Sequence, residues 1–136
     1  MSKYESSIKQ INAPQETVYN ALSNLSNLEK VKDRIPEDKI SNFSFTEDEV
    51  SVTADPVGKV TFRIVEREPA KCIKFEAVES PLPLKMWIQL LPTGEATSKM
   101  RITVDADVPI FLKAMVSKPL QEGVEKIADA ISMIPF

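Results

Sequence analysis

Apolar and polar residues alternate along most of this chain, and where they stop alternating they recur at helical spacing. Residues 3–11 place Tyr4, Ser6 and Ile8 in one phase and Glu5, Ser7 and Lys9 in the other, which predicts a strand with a polar outer face. Asn12-Ala13-Pro14 then opens a helix, with proline at the first helical position and Glu16 in the first turn, where the helix dipole favours an anion. Val18, Leu22 and Leu25 are its buried stripe, and Leu28, Val31 and Ile35 suggest a second short helix that Pro36 stops.

From Lys39 to Val108 the pattern is that of strands. Ile40–Thr46 and Glu49–Ala54 flank an acidic turn, and Asp55-Pro56-Val57-Gly58 forms another, with Gly58 free to take positive φ. Lys59–Glu68, Lys71–Glu79, Leu84–Leu91 and Thr97–Val108 follow, each bounded by proline or glycine, so a meander of antiparallel hairpins is expected. Phe62, Ile64, Ile73, Phe75, Met100, Ile102 and Val104 share a phase opposite to Arg63, Lys74, Glu76, Arg101 and Asp105, as in a sheet wetted on one side only. Pairing Ile88 with Met100 puts Trp87 beside Arg101 outside, whereas a four-residue loop turns Trp87 inward beside Met100; the first register is preferred because it buries Met86, Ile88 and Leu90 together, although turn chemistry does not choose between them.

Pro109 starts a long C-terminal helix. Leu120, Val124, Ile127, Ala128 and Ile131 make one continuous stripe, Glu122 and Lys126 form an i, i+4 pair on the wet side, and Pro119 is expected to kink the helix or restart it. At about 1.5 Å per residue the helix spans roughly 35 Å, enough to cover a sheet with one apolar face. The expected class is α+β: a curved antiparallel sheet of about seven strands around a long C-terminal helix, with two short helices after the first strand. Residues 1–136 then form one domain, as the length also suggests.

Composition narrows the chemistry. There is no histidine, which removes a Ser-His-Asp triad, a Cys-His pair and any His-ligated metal or haem; one cysteine removes an internal disulfide and a thiolate cluster. Net charge is −3, from 17 Lys+Arg and 20 Asp+Glu with no long run of either sign, unlike a nucleic-acid binder. No apolar run approaches a membrane span and no leader is evident in Met1–Gln10, so membrane insertion is not expected and a cytoplasmic location is.

The element order, with Ile11-Asn12-Ala13-Pro14-Gln15-Glu16-Thr17-Val18-Tyr19 leading into the first helix and the Leu91-Pro92-x-Gly94 turn before the last strand, resembles the START-like (SRPBCC) helix-grip superfamily, which includes polyketide cyclase/dehydratase-like and lipid-transfer proteins. The resemblance implies a cavity between sheet and C-terminal helix holding a small lipophilic molecule; it implies no particular reaction. On that reading the cavity-lining candidates are Tyr4, Phe62, Ile64, Phe75, Met86, Ile88, Met100, Ile102, Phe111, Met115 and Leu120.

Two functions are compatible with such a cavity. One is non-catalytic binding or transport of a lipid, isoprenoid or polyketide-like ring. The other is a cyclase or dehydratase, which needs at least two polar groups converging inside; Tyr4 and Tyr19 are the best inward candidates, with Gln89 and Ser98 inward only in the alternative register. Asp105 and Asp107 share a strand face but lie on the charged side, so a solvated pair is expected and no metal or other cofactor is assigned. Cys72 falls in the outward phase and reads as an inert thiol. Pro109–Val116 is apolar nearly all round, more than covering a sheet requires; it is open to use as a pocket mouth, ligand cover, homodimer contact or ordinary core.

Overall fold

The turns marked by proline and glycine become hairpins, and the strands between them pair in chain order. The computed structural model describes residues 2–28, 40–54, 58–134 and 136. The elements are β1 (Ser2–Glu5), β2 (Lys9–Ile11), α1 (Gln15–Leu22), β3 (Ile40–Phe45), β4 (Glu49–Ala54), β5 (Gly58–Glu68), β6 (Cys72–Glu79), β7 (Leu84–Pro92), β8 (Ser98–Ala106) and α2 (Ile110–Ser132). The sheet runs β1-β8-β7-β6-β5-β4-β3, with β2 also on β8, and every pairing is antiparallel. This is the helix-grip arrangement: an open antiparallel sheet holding a long C-terminal helix. A 3₁₀ turn occupies residues 25–28, whereas the rest of the second helix expected over Leu28–Ile35 lies outside the described residues, as does most of the turn before Gly58. Gly58 itself has φ +102°, the left-handed backbone expected of it.

The first strand is not continuous. Glu5 pairs with Thr103 and Lys9 with Met100, so four steps on the edge match three on β8 and one residue is extra. Ser6 bridges the break: its N–H donates to the Ile102 carbonyl at 2.8 Å, and its Oγ accepts from the Ile102 N–H at 2.9 Å. The extra residue reverses the phase. Tyr4 and Ser6 are buried, but Ile8 turns out to solvent and Ile11 turns in.

Further bulges curve the sheet. Thr61 pairs with Glu79 and Phe62 with Ala77, leaving Val78 extra; Ile64 pairs with Phe75 and Glu66 with Lys74, leaving Val65 extra, and both valines are exposed. Each bulge bends its strand and raises the local twist, so the apolar face closes into a concave surface. Ile88 pairs with Ile102 and Leu90 with Met100, not Ile88 with Met100, because the hairpin loop spans Thr93–Thr97 and is bridged by their hydroxyls at 2.7 Å. The phase is nevertheless the one that buries Met86, Ile88 and Leu90; Trp87 is half-buried outside, opposite Thr103 rather than Arg101, with the Lys74 ammonium 5.7 Å from its ring centroid.

Both helices differ from expectation by small steps. Pro14 is the N-cap of α1 rather than its first residue, and its carbonyl accepts the Val18 N–H at 3.1 Å. Pro119 lies inside α2, which runs from Ile110 to Ser132 as one assigned helix. The core gathers Val18 and Leu22 of α1, Leu120, Val124, Ala128 and Ile131 of α2, and the concave faces of β5–β8.

Candidate functional site

Two kinds of contact place α2 over the sheet. Its apolar stripe buries Leu120, Val124, Ala128 and Ile131, and a polar row at four-residue spacing ties its flank to the edge of the sheet. Ser117 Oγ lies 3.1 Å from the Tyr4 hydroxyl, and Gln121 Nε2 donates to the Glu5 carbonyl at 2.7 Å. The Glu125 carboxylate accepts from the Ser7 N–H at 2.9 Å and the Ser7 hydroxyl at 2.8 Å. Lys9 completes the row with Glu125 at 2.9 Å and Asp129 at 2.6 Å. The Ser7 N–H and the Lys9 ammonium hold the Glu125 carboxyl below its ordinary pKa; Asp129 and Glu125 together raise that of Lys9. The helix is thus fastened along β1 and β2.

On the side of α2 away from that edge lies a void of about 60 Å³. Leu22, Leu25 and Leu28 bound it from the α1 end, and Phe45, Val50, Val52 and Phe62 from β3–β5. Phe75, Met86 and Ile88 line it from β6 and β7, and Ile127, Ala130, Ile131 and Ile134 from the C-terminal part of α2. Every lining residue among those described is apolar. A group seated against them meets dispersion and exclusion of water, with no acid, base or hydrogen-bonding side chain among the described lining residues.

Of the sequence candidates, the structure brings Phe62, Phe75, Met86 and Ile88 together around this void. Ile64, Met100, Ile102, Tyr4 and Leu120 are buried in the surrounding core and do not border it. Phe111 and Met115 project away from it, with 81% and 69% of their surface exposed. At 100° per residue Phe111 lies about 180° and Met115 about 140° round the helix from Leu120, so they occupy the outward face. Sequence reasoning passed over Leu28, Phe45, Val50 and Val52 as site residues. The alternation of Val50 and Val52 in β4 was the signal for those two, since it puts both on one face.

The outer face carries an open groove of about 740 Å³ across β6, β7 and β8, with Ile8, Trp87 and Leu91 as its apolar walls and Lys71, Lys99, Arg101 and Glu68 at its margins. Arg101 is held at the margin of the groove: its Nε donates to Gln89 Oε1 at 3.0 Å and its Nη1 lies 3.1 Å from Glu5. Cys72 lines the groove, and burial pushes its thiol pKa up, with Glu68 and Glu66 adding to the effect and Lys74 opposing it. No three potential metal ligands cluster among the described residues. Asp105 sits opposite Lys3 and Lys85 in the pairing, with its Oδ1 buried and unpartnered, while Asp107 is exposed. No helix among the described residues is long and apolar enough to cross a membrane.

Comparison with known proteins agrees with this architecture. The family model for polyketide cyclase / dehydrase and lipid transport matches residues 1–132. Among solved structures, a START superfamily protein from Mycobacterium smegmatis superposes with TM-score 0.68 at 13% identity, covering 96% of this chain and 94% of that one. Norcoclaurine synthase from Thalictrum flavum, solved with dopamine and hydroxybenzaldehyde, gives TM-score 0.70 at 15% identity over 96% and 84% of the two chains. A protein from Thermus thermophilus gives 0.70 at 21% identity over 96% and 94%. No match was found among curated protein sequences.

Proposed function

The chain belongs to the polyketide cyclase / dehydrase and lipid transport family, and from that premise we propose that it binds a small hydrophobic molecule between the concave face of the sheet and the C-terminal half of α2. The observation that carries this reading is the apolar lining of the void among the described residues, on the flank of α2 away from its polar row. An apolar hole stays dry and takes an apolar guest in preference to water.

The void's size sets a condition. About 60 Å³ is well under the roughly 150 Å³ of an engineered cavity that admits benzene, so a guest must push the walls apart. The polar row leaves a way for this to happen. Tyr4–Ser117 and Lys9–Asp129 hold one flank of α2, so the opposite flank, carrying Ile127, Ala130 and Ile134, can swing from β3–β5 with the row as hinge. Met86 adds an adaptable side chain to the wall. The guest is a lipid, isoprenoid or polyketide-like ring, and its role is carriage or storage rather than turnover. A cyclase or dehydratase needs converging polar groups, whereas Tyr4 directs its hydroxyl to Ser117 and neither Tyr4 nor Tyr19 borders the void.

Native mass spectrometry of protein purified from its own cells, with organic extraction of the same sample, tests the reading. A co-purifying lipophile released by solvent supports it. A bare chain that also fails to take up a naphthylamine probe would overturn it.

A further inference from the structure

At the opposite end of α2 the helix does something a cover does not require. Ile110, Phe111 and Met115 expose 87%, 81% and 69% of their surface, three large apolar residues within two turns. The loop before β7 lies beside them, because the Asp107 N–H donates to the Pro83 carbonyl at 3.1 Å, so exposed Pro81 and Pro83 extend the apolar end. Charge on the helix there is one-sided. Lys113 and Lys118 are exposed beside these residues, and from Val108 to Gln121 the sequence has no acidic residue, in a chain whose net charge is −3. The other charges facing this end are Lys3 and Lys85, exposed on β1 and β7, half-buried Asp105 between them, half-buried Glu76 opposite Lys85 on β6, and exposed Asp107. Among these, four cations face three anions.

We propose that this end of the molecule docks on an anionic lipid surface, with Ile110, Phe111 and Met115 entering the headgroup boundary and Lys113 and Lys118 meeting lipid phosphates. Exposed aromatic, Met and Ile side chains flanked by lysine on a helix anchored elsewhere by its own core stripe suit an interface plane, and nothing in the geometry calls for spanning the bilayer. A second copy of this chain is the less favoured occupant, because apposing two such patches brings Lys113 and Lys118 of both copies together with no acid on the same helical turns. The proposal does not depend on an occupied cavity: Phe111 precedes Ile127 by sixteen residues, about 24 Å along the helix.

Flotation of the full chain with vesicles tests it, comparing equal parts phosphatidylglycerol and phosphatidylcholine with phosphatidylcholine alone. Each lysine near an anionic surface strengthens binding about fivefold, so the two together predict about a 25-fold preference for the anionic vesicles, falling as salt is raised. Lys113→Gln with Lys118→Gln removes that preference. Phe111→Gln with Met115→Gln lowers partitioning at least about tenfold, and the exposure of both side chains means the fold survives. Partitioning that is absent, or equal in the wild type and the Phe111/Met115 variant, overturns the proposal. So does a dimer in sedimentation velocity that the same variant dissolves while vesicles are ignored, which would assign the patch to a second copy.

Discussion

Adding one methyl group to the wall of the void, by Val52→Ile, probes both the stability and the binding arguments. Val52 is buried in β4, pairs with Val60 and faces the void. Isoleucine keeps the β-branch that the strand favours. An unfilled hole of about 60 Å³ costs about 1.4 kcal/mol at 24 cal/mol per Å³. A methyl group seated inside it recovers about 0.8 kcal/mol of transfer free energy and needs no displacement of the opposite wall. For a chain of this length that raises Tm by about 3 °C. The same methyl occupies space that a guest needs, so uptake of a naphthylamine probe falls several-fold. Thermal unfolding with and without the probe reads both effects in one experiment. A variant less stable than the wild type means the walls already touch at Val52; a variant more stable but binding the probe unchanged means the guest sits elsewhere.

Three further outcomes follow from the same contacts. Because Glu125 has a folded pKa below its unfolded value, its contribution is present above the unfolded value and is lost as pH falls through the lowered one; Lys9, raised in the folded state, contributes below its unfolded value and loses that contribution as pH rises through the raised one. Glu125→Gln therefore flattens the acid limb of Tm against pH, by no more than about 1 kcal/mol for a partly exposed pair, and an unchanged acid limb contradicts the latch. Ser98, fully buried, donates to the Ala13 carbonyl at 2.9 Å, so Ser98→Ala leaves that acceptor unpaired and costs about 1–3 kcal/mol in urea unfolding; a loss near zero refutes the assignment. Cys72 reacts with iodoacetamide at pH 8 several-fold more slowly than a free thiol, as a raised pKa and partial burial require, and equal rates would show an open, activated thiol.

Much of the fold was legible because its punctuation is local. β4 begins and ends where alternation begins and ends, at Glu49 and Ala54, and Pro69, Pro83 and Pro109 separate strands and helix as their fixed φ and missing N–H demand. What escaped depends on contacts distant in sequence. The break after Glu5 exists because a side chain, Ser6 Oγ, replaces a carbonyl in the ladder, and alternation through Ile8 gives no sign of it. The bulges at Val65 and Val78 lie in uninterrupted β-forming sequence. The β7–β8 register lies two residues from the Ile88–Met100 pairing because the loop is closed by Thr93 and Thr97, a contact that proline and glycine do not specify.

The candidate site divides in the same way. Phe62, Phe75, Met86 and Ile88 were readable from strand phase, because inward residues on neighbouring strands must meet. Phe111 and Met115 were grouped with them on apolarity alone, although the stripe through Leu120, Val124 and Ile131 already put them on the far side of the helix. The contribution of Ile134 and Leu28 comes from segments distant in sequence that meet only in three dimensions.

Methyl NMR of the chain titrated with a naphthylamine or a short isoprenoid tests the internal site most directly. The account predicts saturable shifts at the methyls of Val50, Val52, Met86, Ile88 and Ile131, with those of Ile8 and Leu91 on the outer groove and Met115 on the outward face of α2 unmoved. Shifts confined to Ile8 and Leu91, or none at the inward methyls up to the solubility of the probe, would contradict it.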